Sequence, residues 1–252
     1  MSESLSKIPT VSQSQQQIDF KGRIGIIIPA FNPRPEVLEE LLRRITRICA
    51  PYDCRVLVVD DGSDQAIEFN NLSHNSVTVL RHPVNRGKGA ALKSGFGYFL
   101  RQESADAVIT IDADLQHPPE KIPEFLEAFA GNAGSIITGY RQRNPRVMPV
   151  HRIVSNGLTS LIISLLTGKL VRDSQCGYRL ISLDVLQNLP LSEDGFHLES
   201  EILIRAGWLG FKIASVPIPT IYNNEKSSIK NVPDTLNFVS LIFQLVKERL
   251  SG

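Results

Sequence analysis

The sequence predicts an α/β protein built on a mostly parallel central sheet with helices packed against it. Its 252 residues, of which 42% are hydrophobic, are enough for one large domain with its own core. Short and nearly continuous apolar runs are typical of parallel strands that are covered on both faces. These runs alternate with segments whose apolar residues recur at helical spacing, which implies right-handed crossovers between parallel strands.

The first strand and helix follow from the apolar pattern. Arg23 to Pro29 is a β-branched run that Pro29 ends. Glu36 to Ile48 then spaces apolar side chains three and four residues apart and places arginines on the opposite side. We expect a buried strand followed by a surface helix.

The same alternation continues beyond this first unit. Apolar runs predict strands, and helical spacing or a proline in the first turn predicts helices. The further predicted strands are Arg55 to Asp60, Ser76 to Arg81, Ala107 to Asp112 and Gly134 to Thr138. The further predicted helices are Gly89 to Leu100 and Pro119 to Phe129.

The two ends of the chain differ from this core. Residues 1–19 are rich in Ser and Gln and lack periodicity, which predicts a disordered polar tail before a domain over residues 20–232. The pattern of apolar and charged residues over 233–252 predicts a C-terminal amphipathic helix. The most apolar stretches, Leu158 to Leu166 and Phe238 to Val246, are too short to span a bilayer. An interfacial helix remains open for both, and a dimer contact or ordinary core packing remains open for the second as well.

Charge and cysteine content narrow the class of protein. The 27 basic and 26 acidic residues give a net charge of +1, which argues against nucleic-acid binding and makes any basic site local. The composition excludes a disordered chain, a coiled coil and a collagen-like repeat. Three cysteines cannot all pair within one chain, and no apolar run follows the N-terminus. We therefore predict a cytoplasmic protein with reduced thiols.

The ends of the predicted strands are where a ligand is expected, because parallel sheets bind ligands at the carboxyl edge of their strands. Each segment alone is also compatible with an ordinary turn or a solvated loop. The four segments are Pro29-Ala30-Phe31-Asn32-Pro33, Asp60-Asp61-Gly62-Ser63-Asp64, Asn85-Arg86-Gly87-Lys88-Gly89 and Asp112-Ala113-Asp114-Leu115-Gln116-His117-Pro118.

Two of these segments indicate particular chemistry. Asp112, Asp114 and Gln116 alternate just past a buried strand, so their oxygen atoms can converge on Mg²⁺ or Mn²⁺. His117 is a weaker candidate ligand, because a histidine before a helix start is as often structural. Lys88 lies between two glycines ahead of a helix, a position suited to a diphosphate. The spacings of a P-loop and of a dinucleotide fingerprint are absent.

In their order, these four segments resemble family 2 glycosyltransferases of the GT-A fold, a Rossmann-like fold that binds nucleotide-diphospho-sugars. The resemblance covers roughly residues 22 to 232. Later motifs resemble one branch of that family, the polyprenol-phosphate sugar transferases related to dolichol-phosphate mannose synthase. They are Thr138-Gly139-Tyr140-Arg141, Arg152 with Ser155-Asn156, and Asp173-Ser174-Gln175-Cys176-Gly177-Tyr178-Arg179.

The resemblance implies roles for the strand-end residues in binding the donor. A nucleotide-sugar donor, GDP- or UDP-hexose, would be held by Pro29, Phe31, Asn32, Asp60, Asp61, Lys88, Asp112 and Ala113. The divalent cation would be held by Asp112, Asp114 and Gln116, with Asp114 counted among the catalytic residues. One departure concerns the base: the family usually has Glu directly after Asn32, whereas here Pro33 follows and Glu36 comes three positions later. We expect Glu36 to favour the helix start instead.

The resemblance also implies a polyprenyl phosphate acceptor. Arg141 and Arg152, as catalytic residues, and Ser155 match the acceptor-phosphate site, and the planar fork of arginine suits phosphate. A phosphate acceptor needs no strong base, whereas a saccharide hydroxyl does. The late acidic residues Glu199 and Glu201 are more readily explained as caps or ion-pair partners than as that base.

The sequence therefore predicts an inverting, metal-dependent hexosyltransferase that moves mannose or glucose from a nucleotide sugar to a polyprenyl or dolichyl phosphate. Two alternatives stay open: transfer to a saccharide hydroxyl, and a non-catalytic sugar-nucleotide-binding subunit. The expected location is cytoplasmic, at or near the cytosolic face of a membrane, with a membrane partner subunit or a second copy as possible partners and with no nucleic acid.

Overall fold

A seven-stranded sheet forms the centre of the protein in the computed structural model, which describes residues 20–69, 77–131, 134–142, 148, 150–221 and 231–251. The strands are β1 (Arg23–Ala30), β2 (Asp53–Asp60), β3 (Val77–Arg81), β4 (Ala107–Thr110), β5 (Ile136–Arg141), β6 (Arg179–Ser182) and β7 (Ile213–Ile218). The helices are α1 (Pro35–Cys49), α2 (Lys88–Gln102), α3 (Ile122–Ala130), α4 (Val150–Thr167), α5 (Leu183–Asn188), α6 (Leu198–Trp208) and α7 (Asn231–Ser251).

The strand order is β3-β2-β1-β4-β6-β5-β7, and β6 is the strand that runs antiparallel to its neighbours. The register pairs Ala30 at the end of β1 with Asp60 at the end of β2, and Asp60 with Arg81 at the end of β3. The carboxyl ends of these three strands therefore lie in one row. The predicted edge for ligand binding is formed as expected.

Two apolar cores lie on opposite faces of the sheet, because successive strand residues point to opposite sides. Ile24, Ile26 and Ile28 of β1 face a core that includes buried residues of α1 and α3. Ile27 faces the other core, to which α2, α5, α6 and α7 contribute. Each strand of the sheet centre is covered on both sides, and this explains why its sequence is almost continuously apolar.

The predicted α/β class and mostly parallel sheet are confirmed, with differences at several elements. The predicted third strand is an edge strand with partly exposed side chains, and its first residue, Ser76, lies outside the described residues. The predicted fifth strand begins later and continues to Arg141, because it pairs with β7 along that whole length. The sequence interpretation missed β6, β7, α5 and α6. β6 has four residues and β7 contains a proline, so neither carries a strong periodic signal.

The C-terminal region forms a helix, as predicted, although residue 232 lies inside α7 rather than at its boundary. Phe238, Leu241 and Leu245 on one face of α7 are buried in the core beside α6. That face shows core packing, which was one of the alternatives for this segment. The predicted polar tail, residues 1–19, lies outside the described residues. Within the described ranges, no helix combines the length and apolar content needed to cross a bilayer.

A buried arginine joins β6 to two loops. Arg179 is 1% exposed, and its guanidinium donates to three backbone carbonyls: Cys176 O at 2.7 Å, Ser174 O at 2.6 Å and Glu199 O at 2.5 Å. A buried cation is tolerated only where its donors are satisfied. Here the satisfaction comes from carbonyls of the segment before β6 and of the first turn of α6, so one side chain fixes both.

We expect Arg179→Met to lower the free energy of unfolding by about 3 kcal/mol or more, because three buried carbonyls lose a charged donor. Urea unfolding followed by circular dichroism measures the change. Arg101→Met, at an exposed position on α2, is the control and should change stability by less than about 0.5 kcal/mol. Equal losses in the two variants would contradict the role assigned to Arg179.

Candidate active site

The loop after β1 is tied to the loop after β2 through one asparagine. Asn32 has a left-handed backbone, with φ of 46°, and its N–H donates to Ser63 Oγ at 2.9 Å. Its side-chain amide donates to Asp64 Oδ2 at 3.1 Å, and its Oδ1 accepts from the N–H of Asp64 at 2.9 Å. Phe31, one residue earlier, is 48% exposed. The ring of Phe31 is therefore exposed beside the edge of the sheet. Pro29 is the second-to-last residue of β1.

The two aspartates at the end of β2 already have partners within the protein. Asp60 Oδ1 accepts from the N–H of Ser63 at 2.8 Å, and Asp60 Oδ2 lies 3.1 Å from Arg81 Nη1. Asp61 is 3% exposed, and its Oδ1 lies 2.7 Å from His82 Nδ1. These contacts position the loops around the edge of the sheet. The predicted contact of both carboxylates with a ribose stays a prediction.

Asp61 also shapes the turn that leads into α2. Its Oδ1 accepts from the N–H of Arg86 at 3.0 Å, and its Oδ2 accepts from the N–H of Gly87 at 2.8 Å. Gly87 has φ of 94°, which side chains disfavour, and a Cβ there would lie 2.6 Å from Asp194 O. The turn therefore packs directly against the segment that precedes α6. It sets the direction in which Lys88, the first residue of α2, leaves the backbone.

Lys88 connects the end of β4 with α6. Its Nζ lies 2.6 Å from Asp112 Oδ1 and 2.9 Å from Glu199 Oε1. The other carboxylate oxygen of Asp112 lies 3.4 Å from His117 Nε2. The structure thus brings together two sequence-predicted residues, Lys88 and Asp112, and adds Glu199 to them.

The electrostatics of this cluster favour its charged forms. Burial by itself would lower the pKa of Lys88, but the carboxylates of Asp112 and Glu199 outweigh burial and raise that pKa above its usual value. Burial would likewise raise the pKa of Asp112, but Lys88 and then His117 outweigh burial and hold that pKa well below its usual range. Asp112 is therefore an ionised carboxylate throughout the physiological range.

The segment after β4 offers oxygen ligands on one short loop. The N–H of Gln116 donates to Asp114 Oδ1 at 2.9 Å, and Leu115 between them has φ of 58°. This turn keeps Asp114 and Gln116 close, and Asp112 lies just ahead of them. Carboxylate and amide oxygens fit a hard divalent cation that keeps room for water and phosphate. Among the described residues, no three His, Cys, Asp or Glu side chains are grouped closely enough to hold a metal by themselves.

The side chains behind Asp112 limit its movement. His117 is 4% exposed and stacks on Tyr178, with ring centroids 5.7 Å apart. A Cβ at Gly177 would lie 2.6 Å from Asp112 Oδ2, so only glycine leaves room for that carboxylate. His117 therefore lies packed behind Asp112, with its Nε2 3.4 Å from the second oxygen of that carboxylate.

A second ion pair forms at the end of β5. Arg141 Nε donates to Asp173 Oδ2 at 2.8 Å, and Arg141 Nη2 donates to Asp173 Oδ1 at 3.1 Å. Asp173 is 4% exposed. Burial would raise the pKa of Asp173, but Arg141 outweighs burial and lowers it. The two-point contact fixes the plane of the guanidinium.

The other two predicted acceptor residues lie on α4. Arg152 and Ser155 are in its first half, and Ser155 is exposed. The segment with Asp173 reaches the middle of the same helix, because the N–H of Ser174 donates to Ser160 Oγ at 3.0 Å. The structure thus attaches the Arg141 ion pair to the helix that carries Arg152 and Ser155. Joint binding of one phosphate by these three residues stays a prediction.

Sequence reasoning assigned no catalytic role to Glu199 or Glu201, and the structure gives each an internal partner. Glu201 is 0% exposed and accepts from the N–H of Ser192 at 3.0 Å and from Arg205 Nε at 2.8 Å. Glu199 pairs with Lys88 instead. The interpretation of these glutamates as caps or ion-pair partners is confirmed. Sequence reasoning gave no role to Asp173, although it is the first residue of a quoted motif, and it missed His82, which directly follows the predicted third strand.

Comparison with known proteins places this geometry in context. The glycosyl transferase family 2 model matches residues 25–189. A dolichol-phosphate mannosyltransferase of Pyrococcus furiosus is 31% identical over 204 residues, which are 77% of this chain and 55% of that protein. A UDP-N-acetylglucosamine–dolichyl-phosphate N-acetylglucosaminyltransferase of Methanococcus voltae is 31% identical over 223 residues, which are 79% of this chain and 86% of that protein.

Solved structures support the fold. A glucosyl-3-phosphoglycerate synthase from Mycobacterium tuberculosis, crystallised with Mn²⁺, UDP and glucosyl-3-phosphoglycerate, has a TM-score of 0.62 and 21% identity to this chain. The match covers 82% of this chain and 73% of that one. The predicted GT-A fold is confirmed by this likeness.

The ion pair of Asp173 predicts a pH dependence of stability. The pKa of Asp173 is lowered in the folded state, so its contribution is complete above the unfolded pKa of about 3.9 and is lost as the pH falls through the folded value. We expect Asp173→Asn to be less stable than the natural protein at pH 7. Its free energy of unfolding should also fall less steeply between about pH 5 and pH 3. Urea unfolding at a series of pH values measures both.

A partner variant checks the cause. In Arg141→Met the buried carboxylate lacks its bidentate cation, so protonation of Asp173 should relieve an unfavourable buried charge. Acidification should then cost this variant less stability than it costs the natural protein. A steeper loss than in the natural protein would contradict the assignment.

Proposed function

Because the chain belongs to glycosyl transferase family 2, we propose that it is an inverting transferase that moves a hexose, mannose or glucose, from GDP- or UDP-hexose to a polyprenyl phosphate. The donor would lie along the edge formed by the ends of β1, β2 and β4. The observation that carries the proposal is that one fold contains both a carboxylate and amide loop at Asp112 to Gln116 and an arginine, Arg141, whose guanidinium is fixed by Asp173.

The donor side supplies groups for a nucleotide and a diphosphate. Phe31 is open for contact with a base, and Lys88 provides a cation at the start of α2. Asp112, Asp114 and Gln116 would hold Mg²⁺ or Mn²⁺. The bound cation would neutralise charge on the departing nucleoside diphosphate.

Among the described residues, the acceptor side supplies the cations Arg141 and Arg152, and its carboxylate Asp173 is already bound to Arg141. One phosphate oxygen of the acceptor would attack the anomeric carbon while the bond from that carbon to the donor phosphate oxygen breaks. The products would be a glycosyl phosphodiester and a nucleoside diphosphate, with the anomeric configuration inverted. An acceptor phosphate is already ionised near neutral pH, so orientation by Arg141, Arg152 and Ser155 would suffice.

The acidic residues support a phosphate acceptor over a saccharide hydroxyl. A hydroxyl acceptor needs a carboxylate base, and the late candidates are Glu199 and Glu201. Glu199 pairs with Lys88, and Glu201 is fully buried among backbone donors and Arg205. Neither is open to an acceptor in the described structure. The loop from Asp112 to Gln116 retains both carboxylates, which supports a catalytic transferase over a non-catalytic sugar-nucleotide-binding subunit.

Helix α4 supports peripheral attachment to a membrane, because it exposes an apolar face in addition to the side that packs on the protein. Its inward side combines Ile163, which is 0% exposed, with the small polar residues Asn156 and Ser160, which are 8% and 2% exposed. Its outward face carries Val154, Leu158, Leu161 and Leu165, which are 63%, 57%, 55% and 75% exposed. These four residues, here called the α4 apolar face, would contact the acyl boundary of the bilayer that contains the acceptor.

The charges around the α4 apolar face fit an anionic lipid surface. The segment from residue 150 to residue 172 contains no acidic residue, while Arg152, Lys169 and Arg172 flank its apolar part. Basic side chains next to an apolar face are typical of helices that lie in the interface of anionic membranes. Arg152 and Ser155 lie on the same helix, so the lipid surface and the proposed phosphate site would be adjacent.

Transfer is tested with radiolabelled UDP- and GDP-hexoses and a polyprenyl phosphate. We expect label to enter organic-extractable lipid, with loss on chelation by EDTA. Asp114→Asn should reduce the rate at least about a hundredfold because charge on the leaving group is no longer balanced. Asp184→Asn, at an exposed position on α5, is the control and should leave the rate unchanged. Label found only in water-soluble glycan would contradict the lipid acceptor.

Membrane attachment is tested by flotation with vesicles that contain anionic lipid. We expect Leu158→Ser combined with Leu165→Ser to reduce the floated fraction at least about tenfold, because two exposed leucines no longer enter the interface. Leu236→Ser combined with Phe243→Ser is the matched control, since these residues are 65% and 73% exposed on α7. Equal loss in both double variants would contradict an attachment through α4 alone.

A further inference from the structure

Lys88 occupies an unfavourable place for a cation. It is the first residue of α2, where the helix dipole favours anions, and its side chain is only 18% exposed. Two carboxylates compensate for this placement, and they come from different elements: Asp112 follows β4, and Glu199 lies in the first turn of α6. A simple solvated lysine would need neither carboxylate.

The two carboxylates differ in what else they can do. Asp112 is 26% exposed at its side chain and belongs to the proposed metal loop, whereas Glu199 is 10% exposed and lies behind it. Glu199 is also held in place, because its carbonyl accepts from Arg179 Nη1 at 2.5 Å. Glu199 is therefore a fixed ion-pair partner of Lys88, whereas Asp112 would bind the divalent cation as well as Lys88.

A divalent cation and the Lys88 ammonium would compete for the same carboxylate oxygen. Lys88 Nζ lies 2.6 Å from Asp112 Oδ1, and His117 covers Asp112 Oδ2. A metal that binds Asp112 Oδ1 would weaken the contact with Lys88, because two cations would then share the charge of one carboxylate. Without Glu199, the displaced ammonium would be left near a helix N-terminus with no partner of opposite charge from this cluster.

Building on the proposed function, we propose that Glu199 is a positioning residue that retains the Lys88 ammonium when Asp112 binds the divalent metal. Lys88 is then an internal competitor of the metal at Asp112 in the absence of donor. In the loaded site it remains beside the donor diphosphate, held by Glu199. Glu199 influences metal binding through Lys88 and not as a ligand.

The test measures binding of Mn²⁺ alone to the full chain, by electron paramagnetic resonance of the free ion or by calorimetry. We expect Lys88→Met to tighten Mn²⁺ binding about tenfold, because the competing ammonium is removed from Asp112. We expect Glu199→Gln to weaken it by about threefold to tenfold, because Lys88 then rests on Asp112 alone. Lys93→Met removes a charge from the same helix at an ion pair with Asp194 and should leave the affinity unchanged.

The double variant separates a positioning role from a direct one. If Glu199 acts through Lys88, then Glu199→Gln should have little effect on Mn²⁺ affinity in the Lys88→Met background. An equal weakening in both backgrounds would overturn the proposal, since it would show that Glu199 acts on the metal directly. If Glu199→Gln fails to fold, the same double-mutant comparison is made with Glu199→Asp, which keeps the charge on a shorter side chain.

This test is distinguishable from the test of transfer. Mn²⁺ affinity is measured without donor or acceptor. The double-mutant comparison is therefore informative even if no radiolabelled hexose is transferred to lipid. No Mn²⁺ binding by the natural protein would overturn both this proposal and the proposed metal site. Mn²⁺ binding that is unaffected by Lys88→Met would overturn this proposal alone.

Discussion

The buried guanidinium of Arg179 is the contact on which both halves of the candidate site depend. Within the described part of the chain it binds three carbonyls, whose dipoles balance its positive charge. Two of these carbonyls belong to the segment that follows Asp173, and the third belongs to Glu199. The partner of Arg141 and the partner of Lys88 are therefore held by one side chain. A buried arginine is tolerated where its nitrogens find acceptors, and here each of the three donates to a carbonyl, which helps to fix the geometry of two ion pairs.

Two of the cations assigned to a phosphate are already oriented by carboxylates of the protein. Arg141 is held in plane by Asp173, and Lys88 is held by Glu199 and Asp112. Such pairing removes side-chain freedom before an anion arrives, so less entropy is lost on binding. It also keeps the local charge balanced when no ligand is bound, which agrees with a chain whose net charge is only +1. The acidic residues of the site are thus part of how it would bind anions.

The sequence predicts the parts of this protein that depend on local pattern. Strands β1 and β2 and helix α1 are found where apolar runs and helical spacing placed them, and the segment after β4 keeps Asp114 close to Gln116. The sequence does not predict which distant residues meet. The contact between Lys88 and Glu199 joins residues on α2 and α6, and the sheet topology that brings those helices together contains an antiparallel β6 with no clear signal. Long-range pairing of this kind follows from the packed fold rather than from spacing along the chain.

Helix α4 shows why the periodicity of apolar residues alone does not predict which face of a helix packs on the protein. Its apolar residues recur at helical spacing, but only some of them, such as Ile163, pack on the protein. The packed side also contains Ser160 and Ser164, which donate to carbonyls of their own helix. Such bonds satisfy hydroxyls without water, so small polar residues are tolerated inside. The α4 apolar face remains outside, where water disfavours so continuous an apolar surface. A helix with an exposed apolar face is stabilised where that face contacts lipid. The exposed Ser155 lies next to Val154, the first residue of the α4 apolar face. The contact with lipid and the contact with the acceptor phosphate would therefore be made by a single helix.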